Sequence, residues 1–458
     1  NEKERFEAAG WDYVKVTNGN SLEEIQKAIE IAQGTDKPTL IEIKTVIGYN
    51  TPDAGTNKVH GAALGAEKVA EARDAYGWEY DPFEYPAEVY DRFNQYVEEK
   101  KAAHDEWVKL FEKYGQEYPA EYAQLTTNTL DVTDFVDEYQ TGDQIATRVA
   151  SSDVLQQLAK ANPQFWGGAA DLASSNKTAL KDDGNFTPDN YAGRNVYYGV
   201  REFGAATATN GINLHGGSRA YVSTFMVFSD YLKAAIRLAA IQHLPSIFIF
   251  THDSLAVGED GPTHEPIEQL AMLRTIPNVQ VFRPADAHET VEAWKVIAKT
   301  TDKPSVLIAS RQKLPVLDET KGADVEKGAY IISPAKTQEP DGILLASGSE
   351  VSLALEVKAK LQKQGDYDIQ VVSVPSIERF KEQSADYQEQ VLPTGVRHRL
   401  AVEMGNTQAW YQFVGLDGRV VGVDTFGKSG KGPEVVADYG FTVDHVVDVF
   451  NKMWEDQN

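Results

Sequence analysis

The sequence predicts an α/β protein built from parallel, doubly wound sheets in successive domains. From residue 142 to about 311, strand-like segments alternate with helical stretches, the pattern of a parallel sheet with helices on both faces. The segment "SIFIF" at 246–250 is apolar throughout, as expected of a central strand that is covered on both sides. Further on, "DGILLASGSEVSLALEVKAKLQKQGDYDIQVVSV" has the pattern strand, helix, strand, which predicts another α/β domain over 325–458.

The segments before residue 142 predict the end of one domain and a helical connector. Ser21 and Glu24 form a capping box ahead of a helix, and "PTLIEIKTVIG" at 38–48 predicts a strand. Because the chain enters a strand-like segment almost at once, we expect it to begin inside a domain. The charged helical stretch that follows has an apolar stripe, predicted to face inward: Phe93, Val97, Trp107, Leu110 and Phe111. The predicted division is 1–65, 66–141, 142–320 and 325–458.

Composition narrows the class of protein and its partners. The 458 residues are 42% apolar and 25% charged, which is a globular composition with room for several cores. There is no cysteine, so disulfides, thiolate nucleophiles and cysteine-ligated metals are excluded. The net charge of −25 argues against nucleic acid and anionic membranes as partners. With no membrane span or signal peptide in the pattern, we expect a cytoplasmic enzyme whose positive groups are concentrated locally wherever it binds an anion.

Polar residues at strand ends are the candidate site residues. In open α/β sheets ligands bind beyond the carboxyl ends of the strands. The predicted strand ends and the adjoining loops, with the helix after Thr141 and the long loop near residue 60, supply these candidates: His60, Arg148, Asp171, Ser175, Asn176, His252, Asp253, Glu259, Asp260, His264 and Arg311.

The loop at 251–266 admits three interpretations. Its two histidines and three acids are metal-ligand types, but their spacing matches no common metal motif. It is also compatible with an ordinary solvated turn, or with a lip that binds sugar hydroxyls, which its strand-end position favours. Arg148 and Arg311 are either surface arginines or a fork that grips a phosphate.

Two further features each have a structural and a functional interpretation. Phe225, Phe228 and Tyr231 recur every three residues, as on one face of a helix start, which predicts either a core stripe or a surface that stacks on a flat heteroaromatic ring. Glu202, in "VYYGVREFG", is predicted at a buried strand–helix junction. There it either complements the helix dipole or serves catalysis, since a buried charge is costly without a partner.

Taken together, five segments make the whole chain resemble the transketolase family. They are "IEIKTVIGYNTPDAGTNKVHG", "GGAADLASSN", "GVREFG…NGINLHGG", "THDSLAVGEDGPTHEP" and "LASGSEVSLALE". The resemblance implies a thiamine-diphosphate-binding fold and reversible transfer of a two-carbon ketol group from a ketose phosphate to an aldose phosphate in the pentose phosphate pathway. It also implies thiamine diphosphate and Mg²⁺ as cofactors and a homodimer with each active site at the subunit interface.

The resemblance further implies roles for individual residues. Glu202 corresponds to the glutamate that hydrogen-bonds the cofactor's aminopyrimidine ring and promotes its imino tautomer, which then removes the thiazolium C2 proton. Phe228 corresponds to the ring that stacks on the pyrimidine, with Phe225 and Tyr231 beside it. The remaining correspondences are His60 near the reacting carbonyl, Asp171 near the cofactor, Asp260 on a substrate hydroxyl, His264 near the reacting centre, and Arg148, Ser175, His252 and Arg311 on the substrate phosphate.

One departure from the family pattern concerns the metal. Thiamine enzymes bind magnesium through Gly-Asp-Gly and a later asparagine, and this sequence has no Gly-Asp-Gly. We therefore expect residues 1–65 to be the end of a diphosphate-binding domain whose front, with the metal ligands, is absent, and the chain alone to be inactive. The alternative is a noncatalytic transketolase-like fragment that acts as an assembly or regulatory partner. A synthase with another acceptor, such as formaldehyde, is a second alternative within the enzyme class.

Overall fold

The computed structural model describes residues 1–127, 129–365 and 367–457. These residues form two compact units, residues 1–111 and 112–458, and each is described by itself. None of the helices in the described residues is long and apolar enough to cross a membrane.

The first unit contains a two-stranded parallel sheet and its helices. Its elements are α1 (Glu2–Ala8), β1 (Asp12–Val16), α2 (Leu22–Gln33), β2 (Thr39–Ile43), α3 (Gly65–Tyr76) and the start of α4 (Ala87–Glu117). Ser21 caps α2 as predicted, since its hydroxyl accepts the Glu24 N–H at 3.2 Å. The strand predicted over 38–48 ends at Ile43, because its partner β1 ends opposite it at Val16.

The apolar stripe predicted to face inward on α4 is exposed in this chain. No residue of α4 is buried, and Phe93, Val97, Trp107 and Leu110 are all exposed. Trp107 and Phe111 instead stack on each other, with ring centroids 5.0 Å apart. The prediction of an inward-packed connector is therefore wrong for these side chains, because helical periodicity identifies an apolar face but not what covers it.

A six-stranded parallel sheet forms the first part of the second unit, in the order β5-β4-β6-β7-β9-β8. The elements of this part are α5 (Pro119–Thr126), β3 (Gln144–Ile145), α6 (Thr147–Ala161), β4 (Phe165–Ala169), α7 (Ala173–Asn176), β5 (Asn195–Tyr197), α8 (Glu202–His215), β6 (Arg219–Phe225), α9 (Ser229–Ile241), β7 (Ile247–Thr251), α10 (Gln269–Arg274), β8 (Gln280–Phe282), α11 (Ala287–Lys299), β9 (Ser305–Ala309) and β10 (Leu314–Pro315). The short strands β3 and β10 pair with each other.

Strand β7 lies in the middle of this sheet, as its apolar sequence predicts. All five of its residues are buried, between β6 and β9. Phe248 and Phe250 pack into the cluster that includes α8 and α9, whereas Ile247 and Ile249 pack into the cluster that includes α6 and α11. Side chains alternate across a strand, so both faces need helical cover. The predicted doubly wound architecture is confirmed.

A five-stranded sheet forms the rest of the unit, in the order β11-β13-β12-β14-β15. Its elements are β11 (Tyr330–Ser333), β12 (Gly342–Ala346), α12 (Glu350–Gly365), β13 (Ile369–Ser373), α13 (Ile377–Lys381), α14 (Ala385–Val391), β14 (Arg399–Val402), α15 (Tyr411–Val414), β15 (Arg419–Val421), α16 (Gly432–Asp438) and α17 (Val443–Gln457). The predicted strand–helix–strand over β12, α12 and β13 is confirmed. The edge strand β11 runs antiparallel, a common addition to a parallel sheet.

Candidate active site

The carboxyl ends of four adjacent strands, β4, β6, β7 and β9, meet at one edge of the six-stranded sheet. His252 follows β7 with φ +62°, and Asp171 follows β4 with φ +60°. Residues other than glycine rarely adopt this left-handed backbone conformation, and where they do, the strain is often found at functional sites. The backbone therefore marks the same edge as the polar residues do.

Four predicted phosphate-binding residues come together at this edge. His252 is buried, and burial together with the charges of Arg148, Arg311 and His264 lowers its pKa to about 3. Its imidazole is therefore neutral at pH 7. The guanidinium of Arg148 donates to the backbone carbonyl of Ser175 at 2.7 Å, and burial with the nearby charge of Arg311 lowers the pKa of Arg148. Two cationic side chains thus adjoin one neutral histidine, an arrangement suited to an anion.

Aromatic rings lie next to this cationic group. The ring centroid of Phe225 is 3.7 Å from that of His252 and 6.0 Å from that of Phe228, whose ring is tilted by only 11° from it. His264 lies edge-on to Phe228 at 5.5 Å, and Tyr231 follows at 6.3 Å. The three aromatics do not share one helix face as predicted: Phe225 ends β6, Phe228 ends a 3-10 turn and Tyr231 lies in α9.

Glu202 is the first residue of α8, which packs against α9. The side chain is half-buried rather than buried, which corrects the prediction for this junction. Within the described residues its carboxylate forms no hydrogen bond or ion pair, so its oxygens are available to a ligand. The first turn of a helix favours the negative charge. A carboxylate, which accepts hydrogen bonds, and flat aromatic faces, which stack, fit an aminopyrimidine ring, so the residues present suit that part of thiamine diphosphate.

Three further predicted residues, Asp171, Asp260 and His60, are exposed. Asp171 lies just beyond β4, and Asp260 lies in the loop after β7, where its charge contributes to raising the pKa of Glu265. His60 belongs to the first unit, where it follows a 3-10 turn at Asn57–Val59. Across the ranges that the structure describes, no three histidine, aspartate or glutamate side chains are grouped as a metal site. We therefore assign no residue to Mg²⁺.

Sequence reasoning missed a set of buried polar contacts behind the site. Thr251 Oγ1 lies 2.9 Å from His252 Nδ1 and donates to Asn176 Oδ1 at 2.8 Å, which orients the imidazole. Arg283, at the end of β8, binds Asp253 through Nη2 at 2.7 Å and Glu350 through Nη1 at 2.5 Å. Two features of the sequence could have indicated these contacts: Thr251 at the end of an apolar strand and Arg283 directly after a strand.

Comparison with known proteins places all three parts of the chain in one family. Residues 1–132 match the family model "Transketolase, thiamine diphosphate binding domain". Residues 143–316 match "Transketolase, pyrimidine binding domain", and residues 328–442 match "Transketolase-like TK C-terminal domain".

Curated relatives and solved structures agree with the family models. Transketolase of Bacillus subtilis is 49% identical over 98% of this chain and 69% of its own length, and that of Geobacillus stearothermophilus is 48% identical over 98% and 69%. The structure of Pichia stipitis transketolase in complex with sedoheptulose-7-phosphate superimposes with a TM-score of 0.92 at 36% identity, covering 99% of this chain and 68% of that one. The chain thus spans about two thirds of the length of these relatives.

These matches bear on the expectation of an inactive chain. Residues 1–132 match a thiamine diphosphate binding domain. The predictions of an inactive chain, of a noncatalytic partner role and of metal ligands in an absent segment are therefore not supported. The predicted thiamine-diphosphate-binding fold is confirmed by structural neighbours with TM-scores near 0.9. With 49% identity over nearly its whole length, the chain belongs to the transketolase family.

Proposed function

We propose that this protein catalyses reversible transfer of a two-carbon ketol group from a ketose phosphate to an aldose phosphate, in the pentose phosphate pathway. The observation that carries the proposal is the convergence of Arg148, Arg311 and neutral His252 at the ends of adjacent strands. In a chain of net charge −25, a local pair of arginines indicates an anionic ligand. The resemblance of the site segments to transketolases supports a sugar phosphate as that ligand.

The phosphate end of the substrate is bound by residues from four places in the fold: α6, α7 and the segments after β7 and β9. Arg148 reaches it from the first turn of α6, where its bond to the Ser175 carbonyl restricts the guanidinium. Arg311 follows β9 and is exposed, so it can meet an incoming phosphate. Ser175 and His252 complete the proposed set with uncharged polar groups, and Asp260 and His264 are proposed to contact the substrate nearer the reacting carbon.

The pyrimidine end of thiamine diphosphate is proposed to lie between α8 and the aromatic residues. When bound, this cofactor supplies the carbon nucleophile of ketol transfer. Glu202 would hydrogen-bond a pyrimidine nitrogen and so hold a proton at the ring, while Phe228 would stack on the ring with Phe225 and Tyr231 beside it. His60 would move protons at the substrate carbonyl, and Asp171 would lie near the cofactor. Mg²⁺ belongs to the proposal through the family alone.

The proposed assembly is a homodimer with active sites at the subunit interface. Its support is an apolar surface on α8 and α9 that this chain leaves exposed: Phe203, Leu214, Tyr231, Leu238 and Ile241. Sedimentation should report a mass twice that of the 50.6 kDa chain. A cytoplasmic location and the division at residues 65, 141 and 320 remain parts of the proposal.

Glu202→Gln tests the proposed chemistry. Glutamine keeps the shape of the side chain but holds a proton at the ring far more weakly. Ketol transfer from xylulose 5-phosphate, with thiamine diphosphate and Mg²⁺ supplied, should fall at least about 100-fold. Glu88→Gln, which removes an exposed first-turn carboxylate from α4, is the matched control and should leave the rate unchanged. Near-normal turnover by Glu202→Gln would contradict the proposed role.

A further inference from the structure

A buried cluster of charged side chains lies behind the candidate site, where residues of the six-stranded sheet meet residues of the five-stranded sheet. We call it the charged cluster, and its members are Asp253, Arg274, Arg283, Glu350 and Glu403. All five charged groups are almost completely buried. Three carboxylates share two guanidinium groups, so each arginine contact neutralises a charge that water cannot reach.

Arg283 is the centre of this cluster. Its Nε and Nη2 donate to one oxygen of Asp253 at 3.1 and 2.7 Å, and its Nη1 donates to Glu350 at 2.5 Å. Nη1 also donates to the Ser347 carbonyl at 2.8 Å. Directly beneath the guanidinium, Gly348 has φ +57°, and a Cβ there would lie 2.6 Å from Arg283. The loop after β12 is therefore shaped around this side chain.

Asp253 is the immediate neighbour of His252, whose left-handed backbone needs support. Such a conformation costs about 1–2 kcal/mol for a residue with a Cβ. On the amino side, Thr251 is fixed by pairing with Ala309 of β9 and by its bond to Asn176. On the carboxyl side, the fixed point is Asp253, held by Arg283. Without that second anchor, His252 is free to relax toward negative φ, which swings its ring away from Arg148 and Arg311.

We propose that Arg283 is a positioning residue for substrate phosphate binding: by holding Asp253 against Glu350, it keeps His252 in its left-handed conformation at the site. The proposal rests on the proposed function of His252. It gives the five-stranded sheet a part in substrate binding, since Ser347 lies in the loop after β12 and Glu350 begins α12.

The test compares two conservative variants of the cluster. In Arg283→Lys the charge remains but the paired contact with Asp253 is lost. We expect the KM for xylulose 5-phosphate to rise about tenfold, the cost of one charged hydrogen bond, with kcat within about twofold. The KM for xylulose, the same sugar without phosphate, should not change. The affinity of the cofactor-free protein for inorganic phosphate should fall by a similar factor.

Arg274→Lys is the matched control. Arg274 binds Glu403 through two bonds at 2.7 and 3.0 Å, equally buried but without contact to Asp253. It should lose comparable stability while all KM values and the phosphate affinity stay at wild-type values. Asp253→Asn, which keeps the side-chain shape, should raise the KM for xylulose 5-phosphate in the same direction as Arg283→Lys.

Two results would overturn the inference. One is an Arg283→Lys protein with wild-type KM and phosphate affinity, and the other is an equal rise of KM in Arg274→Lys, which would show a general loss of stability. Failure of the proposed function would appear differently, as a wild-type protein without ketol transfer.

Discussion

The two sheets of the second unit use the carboxyl ends of their strands in opposite ways. Beyond β7 and β9, neutral His252 lies near Arg311 and near Arg148 from the first turn of α6, with no carboxylate among the groups that shift its pKa. Beyond β12 and β14, Glu350 and Glu403 are matched by Arg283 and Arg274 and closed to water. Parallel strands collect polar groups at this edge in both sheets. Among the described residues, no carboxylate forms an ion pair with Arg148 or Arg311 at the first edge, whereas the second edge neutralises its charge internally.

The two edges differ in whether their charged groups are already paired within the protein. Burial raises the pKa of Glu350, while for Glu403 the two arginines outweigh burial and lower it. In this closed edge the charges are paired within the protein. The open edge holds two arginines near each other at a cost, which a bound anion relieves. Breaking each edge should therefore affect different measurable quantities.

The largest expected effect comes from breaking the closed edge. Arg283→Met leaves Asp253 and Glu350 buried without a cation and should lower the free energy of unfolding by about 3–5 kcal/mol. Chemical denaturation measures it. Arg5→Met, which removes an exposed pair with Glu2 at 3.3 Å, should change it by less than about 0.5 kcal/mol. Equal effects of the two variants would argue against the distinction between the edges.

Breaking the open edge should affect binding and leave stability intact. Arg311→Leu removes one of two cations near His252, and the KM for xylulose 5-phosphate should rise about 10- to 100-fold. Because Arg311 is exposed, the free energy of unfolding should change by less than about 0.5 kcal/mol. Arg92→Leu, an exposed arginine on α4, is the control for loss of a positive charge. A KM unchanged by Arg311→Leu would remove Arg311 from the site.

A smaller effect is expected on the pH dependence of stability. It concerns Glu265, which lies in the loop between the two edges. Burial raises its pKa from 4.5 to about 7, although the Lys428 and Gly258 N–H groups oppose the rise. The folded chain therefore holds this proton where the unfolded chain has lost it, and stability falls as pH rises from about 4.5 to about 7. Glu265→Gln should be more stable than wild type at pH 8 by about 1–2 kcal/mol.

The pH profile contains its own control. Glu289, whose pKa burial also raises to about 7, continues to titrate in the variant, so the slope between pH 4.5 and 7 should lessen rather than vanish. Glu268→Gln, an exposed neighbour, should keep the wild-type slope. If Glu265→Gln and wild type gave identical profiles, Glu265 would not be the titrating group.

Much of the fold and of the site could be predicted from local patterns in the sequence. A short apolar run rich in β-branched and aromatic residues and followed by a polar loop favours a covered strand, so β7 was predictable, and the strand-end rule then indicated His252 and Arg311. The capping of α2 by Ser21 was predictable for the same reason, since the helix cap is a contact between residues three apart.

What failed depends on contacts between distant residues. Arg283 and Glu350 are 67 positions apart, and Arg274 and Glu403 are 129 apart, so no local pattern announces either pair. The stripe on α4 was predicted correctly as apolar and wrongly as covered. Glu202 is only half-buried. A strand–helix junction does not by itself show which side chains the neighbouring helices enclose, so this burial was not predictable.

The charged cluster also constrains how the chain folds. Glu350 and Glu403 arise from one sheet and Arg274 and Arg283 from the other, so neither sheet can pair its charges or bury this face while the other is unfolded. Intermediates with one sheet formed and the other disordered are correspondingly penalised. The two sheets of the second unit should therefore melt in a single cooperative transition, although each has a hydrophobic core of its own.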